Sequence, residues 1–455
     1  MLNQLKFDMM RKPILQTSYF CLSLFLLMVA GQVQAQIKAT DYTANWPEWR
    51  GFNQTGASTT GNPPVEFSET NNVKWKIEIP GKGHATPIVW GTQIIVLSAV
   101  PTDIKVQKNA EAAPSPMSPT QTDMVHKFTV LSIDKITGKT NWQTVVDEEV
   151  PAERTHELGS WASNSPCTDG ENIFAFFGSR GLYCLDMKGN VKWKRKFGVM
   201  DIVASFGEGS SPAVYKDKIF IQWDHQGKSF MYALNKKTGE DVWKFERDEK
   251  TSWTTPLVVE VNGKTQVITS ATNKVRSYDF ETGAIVWELK GMTSNVIPNP
   301  VYADGILYLM SGFRGNALKA VDLAKANGDI TGTAAILWEY NQDTPYTPSP
   351  VLMRGKLYFL KGNKGILTCL DAKDGKVIYS NQKLDGISDI FSSPTASKDQ
   401  IYVAAVGAVD VVKAGSEFAL LAKNTLDDTF EASPVVVGND LFLRGYKHLY
   451  CISKK

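Results

Sequence analysis

The sequence predicts an all-β fold, an eight-bladed β-propeller with four-stranded blades. Two observations carry that prediction. Near-copies of one hairpin recur along the chain: SIDKITGKTNW (132–142), CLDMKGNVKW (184–193), ALNKKTGEDVW (233–243), SYDFETGAIVW (277–287) and CLDAKDGKVIY (369–379). A small or polar residue followed by proline also opens an apolar run eight times, at Thr86-Pro87, Ser165-Pro166, Ser211-Pro212, Thr255-Pro256, Asn299-Pro300, Ser349-Pro350, Ser393-Pro394 and Ser433-Pro434. After a first interval of 79 residues, stretched by an insertion, these prolines stand 40–50 residues apart. Four strands repeated at that period indicate propeller blades.

The third unit shows the pattern. SSPAVY, KIFIQW, SFMYAL and EDVWKF read as strands A to D, being runs of β-branched and aromatic residues cut by Gly, Asp, Asn and Lys. The D-x-x-T-G segment is the C–D turn. Its Asp bonds nearby backbone N–H groups, and its Gly accepts the positive φ that the turn requires. The Trp that closes strand D presents a large apolar face to the neighbouring blade. The last unit has only VVVG, LFLR and HLYCIS before the chain stops. Its missing D strand is NNVKWKIEIP (71–80), with Trp75 in the Trp position, so the N-terminal strand completes the last blade and closes the ring.

Residues 1–35 read as a secretory signal peptide. Arg11 and Lys12 precede an apolar stretch from Tyr19 to Gly31, and Val33-Gln34-Ala35 supplies a small-residue cleavage site. The stretch is short for a membrane span. The expected organisation is a signal at 1–35, an N-terminal extension at 36–70 and the propeller at 71–455, with 100–126 as a mobile, Pro- and Ala-rich loop insertion. The chain is then exported, to the periplasm or cell envelope, with no transmembrane segment in its mature part. Removing the signal, with Lys6, Arg11, Lys12 and Asp8, leaves 46 basic and 46 acidic residues. That balance argues against a nucleic-acid partner. Of the remaining cysteines, Cys184, Cys369 and Cys451 share a motif position that holds Ala at Ala233 and Ala320. A position shared by Ala and Cys is a small buried site, so these are expected to be free core thiols.

Strand alternation places the A–B and C–D turns on one face of the ring and the B–C turns and D–A connections on the other. The two longest segments, 100–126 and 147–164, fall on the second face, where function is expected to concentrate. Its D–A connections carry His84, Trp161, Asn164, Glu208, Trp253, Asn295, Tyr346, Asp389 and Glu431. Its B–C turns add Arg180, Asp224, His225, Arg314 and Lys364. The site expected there is a central funnel lined by His84, Trp161, Asn164, Arg180, Glu208, His225, Trp253, Asn295, Arg314 and Tyr346, suited to a small polar ligand or a protein partner. His84, His126, His156 and His225 lack tight ligand spacing, so no metal site is expected. The G-x-x-G stretches GSRG and GNKG join two strands and read as turns, not phosphate loops.

With its A/C-[LVI]-D-x-x-T-G-x-x-x-W hairpin, the chain resembles the quinoprotein dehydrogenase-like eight-bladed propellers. It is similar in particular to the bacterial exported proteins with pyrroloquinoline-quinone-like repeats, through WPEWRGFNQTGAS (46–58), NGKTQVITSATNKVRSYD (262–279) and GFRGNAL (312–318). The resemblance covers residues 46–453 and implies the fold. For function it implies two classes. The reading adopted is a non-catalytic binding or scaffold propeller without a cofactor. The alternative is a dehydrogenase of alcohols or sugars that uses pyrroloquinoline quinone with Ca²⁺. There Trp161 or Trp253 would stack on the quinone, and Glu208 with Asn164 or Asn295 would hold the ion. The adjacent cysteines that several such enzymes carry are missing here.

Overall fold

The structure is a computed structural model and describes residues 42–106 and 122–454. The signal peptide and most of the 100–126 insertion lie outside the described residues. Within them the chain forms eight sheets, one per predicted blade. Blade 3 is typical: Ala213–Tyr215, Lys218–Trp223, Ser229–Asn235 and Asp241–Arg247 follow one another as antiparallel neighbours.

The register explains the small position on strand C. Ser132, Cys184, Ala233, Ser277, Ala320 and Cys451 stand directly opposite Trp142, Trp193, Trp243, Trp287, Trp338 and Trp75. Directly paired residues have Cβ atoms about 5 Å apart, so an indole on one strand demands a small partner on the other. The four described cysteines, Cys167 among them, are buried and free.

The Trp of one blade serves the turn of the next. Nε1 of Trp75, Trp142, Trp193, Trp243 and Trp338 donates to a turn carbonyl in the following blade at 3.0–3.1 Å. The ring lies on that turn's glycine. A Cβ on Gly283 (φ +72°) would sit 2.6 Å from the Trp243 ring. The T-G glycine is therefore required twice, by its backbone and by its neighbour's indole.

Blades 4, 5 and 7 depart from the pattern. Beside Trp287 the expected turn is replaced by a longer segment, from which Gly328–Asp329 adds a parallel fifth strand to blade 4. The Trp287 indole turns instead to Gln266 of its own blade (3.1 Å). In blade 7, Gln400–Lys413 doubles back at Gly407 (φ +68°), so that the Ala414 amide donates to the Asp399 carbonyl at 2.8 Å. Blade 8 closes as expected: Val73–Glu78 pairs antiparallel with His448–Ile452.

The X-Pro positions form a second, inner ring. The backbone amide of Thr86 donates to the hydroxyl oxygen of Ser165, Ser165 to Ser211, Ser211 to Thr255, and Thr255 to the amide oxygen of Asn299. Asn299 donates to Ser349, Ser349 to Ser393, Ser393 to Ser433, and Ser433 back to Thr86. The eight bonds span 2.7–3.1 Å, run in one sense and return to their start. The amide of each belt residue would otherwise be a buried donor without a partner, since it belongs to a side of strand A that no strand covers.

Below this belt the N-terminal extension crosses the channel. Trp46 pairs with Val89 of blade 1, and the Pro47 carbonyl accepts the Thr168 amide of blade 2. Thr55 and Gly56 accept from Leu352 and Ala396 in blades 6 and 7, and Ala57–Ser58 runs parallel to Thr395–Ser397. These contacts lie toward the A–B ends of the inner strands, so the segment closes the channel on the side away from the D–A connections. Arg50 reaches back up to the Pro350 and Pro394 carbonyls (2.7 and 2.8 Å). Its guanidinium occupies the space that a side chain on Gly56 would fill.

Candidate functional site

The open end of the channel is a well of about 670 Å³. Trp49 forms part of its floor, and the belt residues Thr86, Ser165, Ser211, Ser393 and Ser433 ring its base. The wall follows a rule. The residue three places before each blade-opening proline lines the well: His84, Ser163, Gly209, Trp253, Ile297, Thr347, Phe391 and Glu431, one from each of the eight D–A connections. Extended backbone alternates its side chains, so positions −3 and −1 face the axis and position −2 faces the blade. Phe206, Glu208, Tyr346, Phe313 and Arg314 complete an aromatic wall, with the Phe313 and Tyr346 rings stacked at 4.8 Å.

Of the residues expected in the funnel, His84, Glu208, Trp253, Arg314 and Tyr346 line the well. The others do not. Asn164 stands at position −2, and its amide donates to the Ser210 carbonyl (2.5 Å). Trp161 and Asn295 stand at −5, where the connections run farther out. Trp161 bonds the Glu153 carbonyl (3.1 Å) and packs on His126, and Asn295 braces Tyr346. His225 pins its own B–C turn, accepting from the Asp201 amide and bonding the Lys228 carbonyl. Arg180 is buried behind the wall, between Glu153 (2.7 Å) and Glu208 (3.1 Å). Asp224 is consumed by Arg247 (2.7 Å), while Asp389 and Lys364 are exposed. Sequence reasoning missed Ser163, Gly209, Ile297, Thr347 and Phe391, which the −3 rule finds, as well as Trp49, His156, Phe206 and Phe313.

Glu208 is a structural carboxylate as much as a wall residue. The GSRG turn donates to it through the Ser179 amide (2.8 Å) and hydroxyl, and a Cβ on Gly178 would strike it. That turn does cradle an anion, the protein's own. Burial and the neighbouring Glu208 push the Glu153 carboxyl upward against the pull of Arg180. Across the well, burial raises Glu431 to about 7, opposed by the Tyr446 hydroxyl (3.2 Å) and Lys82. Burial, then Lys82 and Arg444, push His84 down to about 3, so its ring is neutral where it stacks on Tyr446 (5.1 Å).

The donors considered for Ca²⁺ do not form a set. Glu208 is held by Ser179 and Arg180, Asn164 by Ser210, and Asn295 by Tyr346. Among the described residues no three His, Cys, Asp or Glu side chains converge as metal ligands. The residues present do not fit a quinone-bound calcium ion.

Fold and well together define the class, an eight-bladed β-propeller with a deep well at one end of its channel. The match to known families is narrower: residues 55–221 and 227–455 fit the family described as outer membrane protein assembly factor BamB, and the chain belongs to that family. No curated protein matches it. Among solved structures, BamB from Moraxella catarrhalis is 14% identical, with a TM-score of 0.52, 78% of this chain covered and 100% of that one. The computationally designed Ika8 protein is 13% identical, with a TM-score of 0.52, 72% of this chain covered and 92% of that one. The quinohemoprotein alcohol dehydrogenase from Comamonas testosteroni is 11% identical, with a TM-score of 0.49, 92% of this chain covered and 82% of that one. At these identities the likeness is one of fold.

Proposed function

We propose that the chain is an exported, non-catalytic binding or scaffold propeller of the cell envelope, which receives its partner on the face of the D–A and B–C connections. The observation that carries this reading is the well itself, to which every D–A connection contributes a residue at the same offset. A shared wall of that kind suits one occupant on the axis. The description of the family as an outer membrane assembly factor supports a protein partner and an envelope location. Glu208 is tied to Arg180, and Glu431 accepts from Tyr446, which favours a binding surface over an acid–base pair.

The test is photo-crosslinking in living cells. A benzophenone amino acid at Ile297 or Thr347, in the wall, is expected to capture the partner, and one at Ile136 or Val377, on the opposite half of the blades, is not. Capture only from Ile136 or Val377 would place the interface on the other face. The cofactor alternative has its own arm. Dye-linked oxidation of an alcohol or sugar after incubation with pyrroloquinoline quinone and Ca²⁺ would overturn the non-catalytic reading.

A further inference from the structure

Five arginines are buried in the described residues, and they fall into two groups. Arg180, Arg247 and Arg276 lie within or between blades 2 to 4, and each is ion-paired: Arg180 with Glu153 and Glu208, Arg247 with Asp224, Arg276 with Glu249 and Glu288. Arg50 and Arg444 adjoin the channel, are 1% exposed, and form no ion pair. Arg50 sits under the belt with its Nε unpartnered. Arg444 bonds the Gly83 carbonyl weakly (3.5 Å), just behind His84, and neither of its Nη atoms has a partner. Asp428 attracts it through charge, but accepts from the Lys447 and His448 amides and forms no hydrogen bond or ion pair with the guanidinium. A buried cation that no carboxylate bonds is strongly unfavourable, so the ion-pairing of three and its absence from two needs a cause.

The belt supplies a second observation. Seven of its members are hydroxyls. Each oxygen accepts one amide, and among the described residues none of these hydroxyls donates to anything. The eighth, Asn299, is fully buried with its Nδ2 unpartnered. A Ser or Thr hydroxyl carries one proton to give, so the five belt hydroxyls at the base of the well, those of Thr86, Ser165, Ser211, Ser393 and Ser433, have a donor still to spend.

We propose that the base of the well is an anion seat, in which a small anionic group rests on the belt beside Trp49, takes the free donors, and supplies the counter-charge that Arg50 lacks and a bonding partner of the kind that Arg444 lacks. The group is a free inorganic anion or the carboxylate of a molecule lodged in the well; the chemistry is common to both. Burial lowers Arg50 to about 9 with nothing opposing it, and lowers Arg444 to about 10 against the pull of Asp428. This inference goes beyond the docking of a partner at the mouth and stands without it.

The experiment uses the full chain and sodium bromide. In a zwitterionic buffer free of other small anions, adding sodium bromide is expected to raise the melting temperature and then saturate. Crystals in bromide are expected to show an anomalous peak within the belt. Arg444→Met tests the charge. It should need about tenfold more bromide for half-saturation, because one buried positive charge is lost. Without bromide it should melt no lower than the wild type, since a buried cation that no carboxylate bonds has gone. Competition separates the two sources. Displacement of bromide by formate or acetate assigns the seat to a ligand carboxylate, and exclusion of both assigns it to a free ion. A melting temperature indifferent to bromide, together with density at the belt that has no anomalous signal, would mean that water fills the base and would overturn the proposal. So would an Arg444→Met variant that binds bromide as the wild type does. Neither result depends on whether a partner crosslinks at Ile297.

Discussion

Two concentric rings hold this molecule together, and they differ in how much irregularity they bear. The outer one joins each Trp to the next blade's turn. It lapses at blade 4, where Trp287 turns back to Gln266, at blade 6, where Tyr379 replaces Trp, and at blade 7, where Ala422 stands in that place. The inner belt has no lapse in eight positions. The difference follows from what each ring covers. The outer ring faces solvent, so a missing partner can be replaced by an inserted segment, as Gly328–Asp329 does beside Trp287. The belt amides face a closed interior, where a missing acceptor leaves a donor with nothing to bind.

Substitutions sharpen that contrast. The largest effect belongs to Trp287→Ala, because Trp287 is fully buried under its added strand; urea unfolding should show a loss of about 3–5 kcal/mol. Ser393→Ala is a smaller deletion but strips the acceptor from the Ser349 amide. The expected loss is about 1–3 kcal/mol, and a Thr at the same place should restore most of it. If Ser393→Ala were silent, the belt would be a by-product of packing and not a closure. Glu431→Gln acts through pH. The Glu431 carboxyl, raised to about 7, keeps its proton in the native state when the unfolded chain has released it. Its contribution to stability is therefore full below about 4.5 and falls as pH rises toward about 7. Glu431→Gln should flatten the dependence of unfolding free energy on pH across that window. At the small end, Lys135→Ala should change stability by no more than about 0.5 kcal/mol. Trp75 uses the Lys135 carbonyl and not its side chain.

The fold was legible because its signals repeat. The X-Pro positions mark all eight blades and the hairpin copies five of them, and Trp75 announces the closing strand by standing in the motif without a blade of its own. The well was legible only in part. Choosing residues by chemical type brought in Trp161, Asn164 and Asn295, whose positions turn them away, and passed over the apolar Ile297 and Phe391. Position was the better guide. Counting back three from each proline finds the wall, since strand alternation acts on any side chain whatever its polarity. The turning back of Gln400–Lys413 and the added strand at Gly328–Asp329 had no repeat to reveal them. The crossing of the N-terminal extension was equally hidden, because its partners in blades 6 and 7 lie some 300 residues away along the chain.

The pairing of Val73–Glu78 with His448–Ile452 has a consequence in time. A chain made from its N-terminus produces the outer strand of the last blade first and must wait for almost everything else before that strand finds its neighbour. Until then Trp75 and one flank of blade 1 have nothing to rest against, and the belt, whose last bond runs from Ser433 to Thr86, is an open row with two loose ends. Closing so long a loop is entropically costly and is repaid only when both ends arrive. The nascent protein is thus a string of blades in waiting, and the native ring is born in a single late act, after the final strand has been delivered.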